Sequence, residues 1–171
     1  MKEPSDLHKS LIEEAFYLRG RILASYSQIE FLLADISVKL DLKFPYRIEK
    51  RIKAVKRIAE RPGYEGYKDE LSKVCDELLR YDELRNFMAH GFMMLNIGLE
   101  NSHEFEIQLY QRTDSENFNL ITIKTSIPRM KAASDQITEY CSHAMRLFSR
   151  IYLEKRLEDP SEGILIEPRP N

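Results

Sequence analysis

The residues best suited to chemistry lie close together in the middle of the chain, at Arg85, Asn86 and His90. An arginine carries a planar, permanently charged group that suits phosphate oxygens. A histidine titrates near neutral pH and can accept or donate a proton, and an asparagine adds neutral hydrogen bonds. Together these residue types suit a phosphodiester, whose cleavage needs proton transfer and stabilisation of charge at phosphorus. Arg85, Asn86 and His90 are therefore the candidate catalytic residues.

The spacing of these residues also allows a purely structural explanation. At about 100° per helical residue, Asn86 and His90 share one face, whereas Arg85 is rotated by about 140° from His90. The side chains of Arg85 and His90 can converge only if the helix loosens near Gly91, or if the arginine side chain extends around the helix. A histidine at the carboxyl end of a helix is favourable in any case, and Arg85 can pair with Asp82 one turn earlier.

Three helices are predicted up to this point in the chain. Apolar residues recur at steps of three and four from Asp6 to Leu40, which predicts a long helix, with a bend or a break expected at Gly20. A second helix is predicted from Tyr46 to Arg61 and a third from Tyr67 to His90. Gly91 is expected to end the third helix in the left-handed conformation.

The periodicity then changes to the alternation of a half-exposed sheet. Strands are expected at Phe92–Leu99, around Phe105–Leu109 and at Phe118–Thr125. They predict a short antiparallel β-meander over about 92–125, followed by a last helix from Ser126 to about Lys155. A length of 171 residues predicts one domain, placed over 1–157. The low glycine and proline counts argue against a linker-rich or extensively disordered chain. The segment 158–171, rich in proline and acids, is expected to be a loosely ordered tail.

The segment Arg85-Asn86-Phe87-Met88-Ala89-His90-Gly91 resembles the signature of the HEPN superfamily. In that signature an arginine, a polar residue and a short spacer precede a histidine near the end of a helix. The resemblance implies a mainly α, HEPN-like antiparallel helical bundle that acts as a metal-independent endoribonuclease. His90 would be the acid or base, Arg85 would stabilise the transition-state phosphate and Asn86 would orient the site.

The resemblance also implies a homodimer whose two motifs face one cleft, and a role as a toxin or anti-phage factor, with a cognate antitoxin as partner of a toxin. A dimer has a chemical reason of its own, because attack by an internal 2′-hydroxyl needs one group to accept a proton and another to donate one. Each chain offers one motif histidine, and a two-fold dimer offers two. The β-meander departs from the simplest family pattern and leaves the substrate and the subfamily open.

A strongly basic segment lies just before the motif helix. Residues 43–61 contain eight basic and two acidic side chains, a net charge of +6 in a chain whose total is −2. Such a helix can hold an RNA backbone through its phosphates, and the candidate RNA-binding residues are Arg47, Lys50, Arg51 and Arg57. The alternative is a solvated face paired with acids elsewhere. The near-neutral total argues against nucleic-acid binding over the whole surface.

Two acidic residues are candidate supporting groups: Asp82, and Glu30 on the first helix, which is either an orienting partner of the motif or an exposed carboxylate. No metal-ligand cluster or cofactor motif is present near the motif, so no metal and no cofactor are expected. Cys75 and Cys141 are expected to be buried thiols. The charged amino terminus and the absence of an apolar run of roughly 20 residues predict a cytoplasmic protein without a membrane anchor.

Two other functions remain open from the sequence. One is a non-catalytic HEPN-like module for dimerisation, or for binding a nucleotide or nucleic acid, in a regulatory or toxin–antitoxin system. The other is an antitoxin or regulator that binds nucleic acid through the basic segment without cutting it.

Overall fold

The computed structural model describes residues 5–98, 102–114 and 116–157, and the predicted tail 158–171 lies outside them. The described chain is mainly helical, with a small antiparallel sheet between its third and fourth helices. The helices are α1 (Asp6–Lys39), α2 (Ile48–Lys56), α3 (Lys68–His90) and α4 (Ile127–Lys155). The strands are β1 (Phe92–Ile97), β2 (His103–Arg112) and β3 (Phe118–Thr125). The mainly α class and the inserted meander are thus confirmed.

Helix α1 is one unbroken helix of 34 residues, so the expectation of a break at Gly20 is wrong. Ser5 caps its amino end by accepting a hydrogen bond from the backbone N–H of His8. Gly20 lies on the exposed side of the helix, where a glycine costs only about 1 kcal/mol relative to alanine. Leu18 and Ile22 on either side of it are buried, and the continuous packing of that stripe outweighs the local cost.

The core lies where α1 packs against α3 and α4. Its largest fully buried side chains include Tyr26 and Phe148, together with Ile22, Ile29 and Ile36 of α1. Cys75 and Cys141 are buried free thiols, as expected, and burial raises the pKa of the Cys75 thiol to about 12. No helix in the described part of the chain is both long enough and apolar enough to cross a membrane.

Helix α2 is shorter than predicted. It begins at Ile48 rather than Tyr46, and after Lys56 the chain tightens into a 3₁₀ turn over Arg57–Glu60. Arg61 is extended because the following proline disfavours the helical conformation of the residue before it. Ile52, Val55 and Ile58 remain buried through the change of helix type, so the predicted apolar stripe still attaches this segment to the core.

The three strands form a sheet in the order β1-β2-β3, with both pairs antiparallel. Strand β2 is longer than the predicted alternation, because it extends to His103 at one end and to Arg112 at the other. Phe105 and Ile107 point to the inner face, where both are almost fully buried and β2 contacts α3. The sheet therefore extends the core past the carboxyl end of α3.

Gly91 joins α3 to β1 in an extended conformation (φ −72°, ψ 139°), so the predicted left-handed cap is wrong. The chain enters β1 at the next residue, which leaves no room for a left-handed turn. A glycine is required for another reason. A Cβ at position 91 would lie 2.4 Å from Cγ2 of Ile107 and 2.5 Å from the carbonyl oxygen of Phe87.

We expect Gly91→Ala to lower the free energy of unfolding by about 2 kcal/mol, because the added methyl group would overlap both a packed side chain and a backbone oxygen. Gly66→Ala is the matched control, since a Cβ there meets nothing within 4 Å, and its stability should be unchanged or raised by up to about 1 kcal/mol. Urea denaturation followed by circular dichroism measures both. Equal stability of the two variants would contradict the close approach at Gly91.

Candidate functional site

The carboxyl end of α3 is held by an arginine that the sequence did not single out. Arg19 of α1 donates from Nε to the carbonyl oxygen of Met88 and from Nη2 to that of Ala89, the latter at 3.4 Å. The last carbonyls of a helix have no partner within it, and a cation near them is also favoured by the helix dipole. Arg19 therefore fixes the last turn of α3 against α1. Contacts between residues about 70 positions apart leave no local signal in the sequence.

A buried tyrosine connects α1 to the motif. The Tyr26 hydroxyl donates to Oδ1 of Asp82 at 2.9 Å, and the guanidinium carbon of Arg85 lies 5.2 Å from the centre of the Tyr26 ring. Burial raises the pKa of Tyr26, and the hydrogen bond to Asp82 and its charge raise that pKa further. Tyr26 therefore stays protonated and holds Asp82, which in turn faces Arg85.

Arg85 is half-buried and is held by its neighbours on α3. Its Nη1 donates to Oδ1 of Asn86 at 2.9 Å, and its Nη2 lies 4.0 Å from Oδ1 of Asp82. The ion pair with Asp82, which the sequence offered as a structural explanation, is thus present at the limit of contact distance. The contact between Arg85 and Asn86 brings the two candidate catalytic residues together directly.

Arg85, Asn86 and Asp82 line a cleft of about 570 Å³ between α1, α2 and α3, here called the motif cleft. Its other lining residues are Glu30, Tyr46, Arg47, Ile48, Glu49 and Arg51. The motif and part of the basic segment, which are separated in sequence, therefore meet at one site. Three arginines and three carboxylates line the cleft, so its formal charge is zero.

Glu30 and Arg51 form an ion pair within the motif cleft, with 2.8 Å between Oε1 and Nη1. Both side chains are largely covered, and Arg51 also donates from Nε to the carbonyl oxygen of Pro45 and stacks on Phe44. Glu30 is thus neither an exposed carboxylate nor a hydrogen-bond partner of the motif, because it bonds Arg51. This ion pair attaches the amino-terminal part of α2 to α1.

Arg47, by contrast, is exposed. Within the described residues its side chain makes no hydrogen bond or ion pair. It is therefore the cationic group of the motif cleft that an added phosphate could engage without first breaking an ion pair.

The predicted RNA-binding residues divide between two faces of α2. Arg47 and Arg51, one helical turn apart, line the motif cleft. Lys50 and Arg57 line a separate shallow cleft of about 360 Å³ on the other face. Lys43 and Lys53 line that second cleft as well. The net charge of the segment is therefore not directed at one surface, which a count of charges along the sequence does not reveal.

The His90 side chain lines a different cleft from the Arg85 side chain. Helix α3 stays regular through His90, so the rotation of about 140° between the two residues is preserved. The exposed His90 side chain lines a cleft of about 290 Å³ between α3 and the sheet, together with Glu83, Phe87 and Leu109. Asn86 borders both clefts. Within one chain, Arg85 and His90 therefore do not converge on a common point.

Another cleft, of about 420 Å³, lies between α3 and α4 and was not predicted from the sequence. Tyr81 and Tyr140 stack there with 5.5 Å between ring centres, and the buried Nε2 of His143 has no hydrogen-bond partner. These residues come from two helices that are distant in sequence. Over residues 5–98, 102–114 and 116–157, no group of three or more His, Cys, Asp or Glu side chains is arranged to hold a metal ion.

Comparison of the chain with protein-family models, curated proteins and solved structures gave no significant match. Membership of the HEPN superfamily therefore remains a prediction that rests on the residues from Arg85 to Gly91.

The Tyr26–Asp82 hydrogen bond leads to a pH-dependent prediction. We expect Tyr26→Phe to lower the free energy of unfolding by about 1–2 kcal/mol at pH 8, because it leaves Asp82 without this donor. The folded-state pKa of Tyr26 is raised above its ordinary value of 10.0, so its contribution is complete below pH 10 and is lost as the unfolded chain ionises above it. The deficit of the variant should therefore shrink by about 1 kcal/mol between pH 9 and pH 11.

Denaturation curves of both proteins across this pH range measure the effect. Tyr17→Phe is the control, because the Tyr17 side chain is exposed. A deficit of Tyr26→Phe that stays constant with pH would contradict the assignment.

Proposed function

We propose that the protein is a metal-independent endoribonuclease of the HEPN type, a helical bundle acting on RNA in the cytoplasm as a homodimer. The observation that supports this most is the motif cleft, where Arg85 and Asn86 lie beside Arg47 of the basic segment. A phosphate bound there would meet two arginine side chains and a neutral amide, which is the set of groups that RNA phosphate contacts favour.

In the proposed reaction, a substrate 2′-hydroxyl attacks the neighbouring phosphorus and the bond to the 5′-oxygen breaks. One histidine accepts the proton of the 2′-hydroxyl, and a second, protonated histidine donates a proton to the leaving oxygen. Arg85 stabilises the charge on the phosphate oxygens, and Asn86 orients Arg85 through their hydrogen bond. The products are a 2′,3′-cyclic phosphate and a 5′-hydroxyl. A toxin or anti-phage role, with an antitoxin that blocks the cleft, would suit this activity.

The outer side of α1 offers a surface for the dimer. Large apolar and small side chains follow one exposed stripe, here called the outer stripe, and no charged residue interrupts it. Its members are Phe16, Gly20, Ala24, Ser27 and Phe31. Their sizes are symmetric about Ala24, with a phenylalanine at each end and small residues between. In a two-fold antiparallel pair centred on Ala24, Phe16 of one copy would meet Phe31 of the other, and the small residues between them would allow the helices to approach closely.

This pairing would bring the two motifs to the same side of the dimer. Arg19, Tyr26 and Glu30 face the end of α3 or the motif cleft from a side of α1 that is roughly 100° around the helix from the outer stripe. The two-fold axis of an antiparallel pair is perpendicular to the plane that contains the two helices. Rotation about this axis does not exchange the two sides of the plane, so elements above the plane in one copy are also above it in the other. Because α3 crosses α1 near Ala24, the motif helices of the two copies would then lie on either side of the two-fold axis. His90 of one copy would supply the proton-transfer group beside Arg85 of the other.

The second candidate function is a non-catalytic module of the same type. One observation favours it: Arg85 is already engaged by Asp82 and Asn86, while His90 lies on another cleft. The balanced charge of the motif cleft also weakens its attraction for a polyanion. In that case the cleft would bind a nucleotide or an RNA end without cleaving it.

Incubation with mixed single-stranded and structured RNAs in excess EDTA tests the proposed reaction. We expect cleavage by the wild-type protein and a loss of at least about 100-fold in His90→Ala, because general acid–base catalysis contributes that much. Arg85→Ala should lose a similar amount through the phosphate. Gel electrophoresis and end-group analysis measure the products.

The chain offers matched controls for both variants. Arg80 lies on the same helix and pairs with Glu77 outside the motif cleft, and His8 is distant in sequence and packs on His103. Arg80→Ala and His8→Ala should therefore cleave like the wild type. Cleavage by all variants alike would indicate a contaminant, whereas RNA binding without cleavage would favour the non-catalytic module.

The dimer is tested by Ala24→Arg, which places a charge at the centre of the outer stripe. We expect a wild-type dimer and a monomeric variant in light scattering, with loss of cleavage in the variant, because each chain supplies one motif histidine. Ala132→Arg introduces the same change at an exposed alanine of α4 and should remain dimeric and active. A wild-type monomer at assay concentration would contradict the proposal.

A further inference from the structure

The outer face of the sheet exposes large aromatic side chains. Residues that pair directly across antiparallel strands point to the same side, and the pairs Tyr110–Leu120, Arg112–Phe118 and Gln108–Phe92 place all six side chains on one face. Phe92, Tyr110 and Phe118 are 65%, 69% and 59% exposed. The buried Phe105 and Ile107 lie on the opposite, inner face.

The three aromatic residues form one diagonal row across the sheet. Phe92 on β1 pairs with Gln108, two residues before Tyr110, and Phe118 on β3 lies two residues before Leu120, the direct partner of Tyr110. Each aromatic residue is therefore the diagonal neighbour of the next one on the adjacent strand, a separation that aromatic side chains can span. Gln108, Leu120 and Arg112 lie between the rings, and Gln108 and Arg112 provide hydrogen-bonding groups.

We propose that this aromatic row is a stacking platform for unpaired bases of single-stranded RNA. The inference takes RNA as the ligand from the proposed function and adds the class of RNA and the surface that selects it. Aromatic rings on an open sheet stack on bases of any sequence, because every base has a π-face. The bases of a duplex are already stacked on one another, so the platform would favour single strands.

The position of the platform connects it to the motif. The start of β1, the end of β2 and the start of β3 lie at the same end of the antiparallel sheet, and Phe92 follows His90 by two residues. Arg112 lies at this end of the outer face, and its Nε donates to the carbonyl oxygen of Asp114 at 2.6 Å. Glu104 and Glu106 lie towards the other end, where Lys124 pairs with Glu104. Arg112 therefore places a cation at the end next to His90, beside the carboxylate of Asp114 in the adjoining turn, and both glutamates of the strand lie at the other end.

A protein partner fits the same face less well. The rings stand on an open strand surface with Gln108, Arg112 and Leu120 between them, so an occupant must supply both flat rings and hydrogen-bonding groups, as unpaired bases do. Rings that stand on an open surface leave their faces accessible to stacked bases. The nearby motif cleft, with Arg47 and Arg85, offers a continuation for the phosphate backbone.

Fluorescence anisotropy with a labelled, single-stranded 2′-O-methyl RNA of about 12 nucleotides tests the platform. This RNA lacks a free 2′-hydroxyl, so binding is measured without cleavage. We expect Phe92→Ala, Tyr110→Ala and Phe118→Ala each to weaken binding by about 5- to 100-fold, the range for loss of one base–aromatic stack. Tyr110→Phe should bind like the wild type, because stacking needs only the ring. The same RNA annealed to its complement should bind more weakly than the single strand.

Ile97→Ala is the matched control, because Ile97 is also an exposed apolar residue of the sheet but pairs with His103 on the inner face. Unchanged binding by the three aromatic variants, or an equal loss in Ile97→Ala, would overturn the platform. So would a shift of the aromatic variants from dimer to monomer in light scattering without a change in RNA affinity, since the face would then join two copies.

The outcome for the platform can be separated from the outcome for catalysis. If the wild-type protein binds single strands through the row but cleaves no RNA, the platform stands and the proposed reaction fails. If the aromatic variants cleave with unchanged kcat and KM, the platform fails and the reaction stands. A raised KM at unchanged kcat in the aromatic variants would support both.

Discussion

The arrangement of the site depends on how the last turns of α3 are attached to α1. Arg19 binds the terminal carbonyls of α3, and Tyr26 binds Asp82 one turn before Arg85. Apolar packing alone leaves a helix some freedom to slide or rotate, whereas these hydrogen bonds set both its axial position and its rotation. The direction in which Arg85 and His90 point, the start of the sheet at Phe92 and one wall of the motif cleft all follow from this attachment.

The same attachment separates the two groups on which the proposed chemistry depends. A regular helix keeps Arg85 and His90 on different sides, so one chain presents a phosphate-binding side chain at one cleft and a proton-transfer group at another. A two-fold pairing along the outer stripe would resolve this separation by supplying the missing group from a second copy. The ion pairs of Arg51 with Glu30 and of Arg85 with Asp82 act in the opposite sense, because each must be weakened before its arginine can bind a phosphate.

Much of the fold was predictable because its periodicity is local. The buried stripes of α1, α3 and α4, the meander and the buried cysteines were all predicted, since each depends on the spacing of apolar residues within one element. The ends of α2 and β2 were misplaced, and two further errors arose at glycines. Gly20 does not interrupt α1, because the burial of its neighbours Leu18 and Ile22 outweighs the low helix propensity of glycine. Gly91 is not left-handed, because the chain enters a strand at the next residue; a glycine is needed there because the Ile107 side chain packs against it.

The sequence by itself determined the elements, the order in which they occur, and the residues in which chemistry could reside. It could not determine which of those residues meet, because that depends on contacts between distant segments. Only the tertiary structure shows that the basic residues lie on two faces of α2. It also shows that Glu30 pairs with Arg51 rather than with the motif, and that Arg19 binds the end of the motif helix. It also aligned three aromatic residues from three strands on one exposed face. Spacing along a chain specifies the face of one helix or strand, whereas a site is made where faces of different elements are packed together.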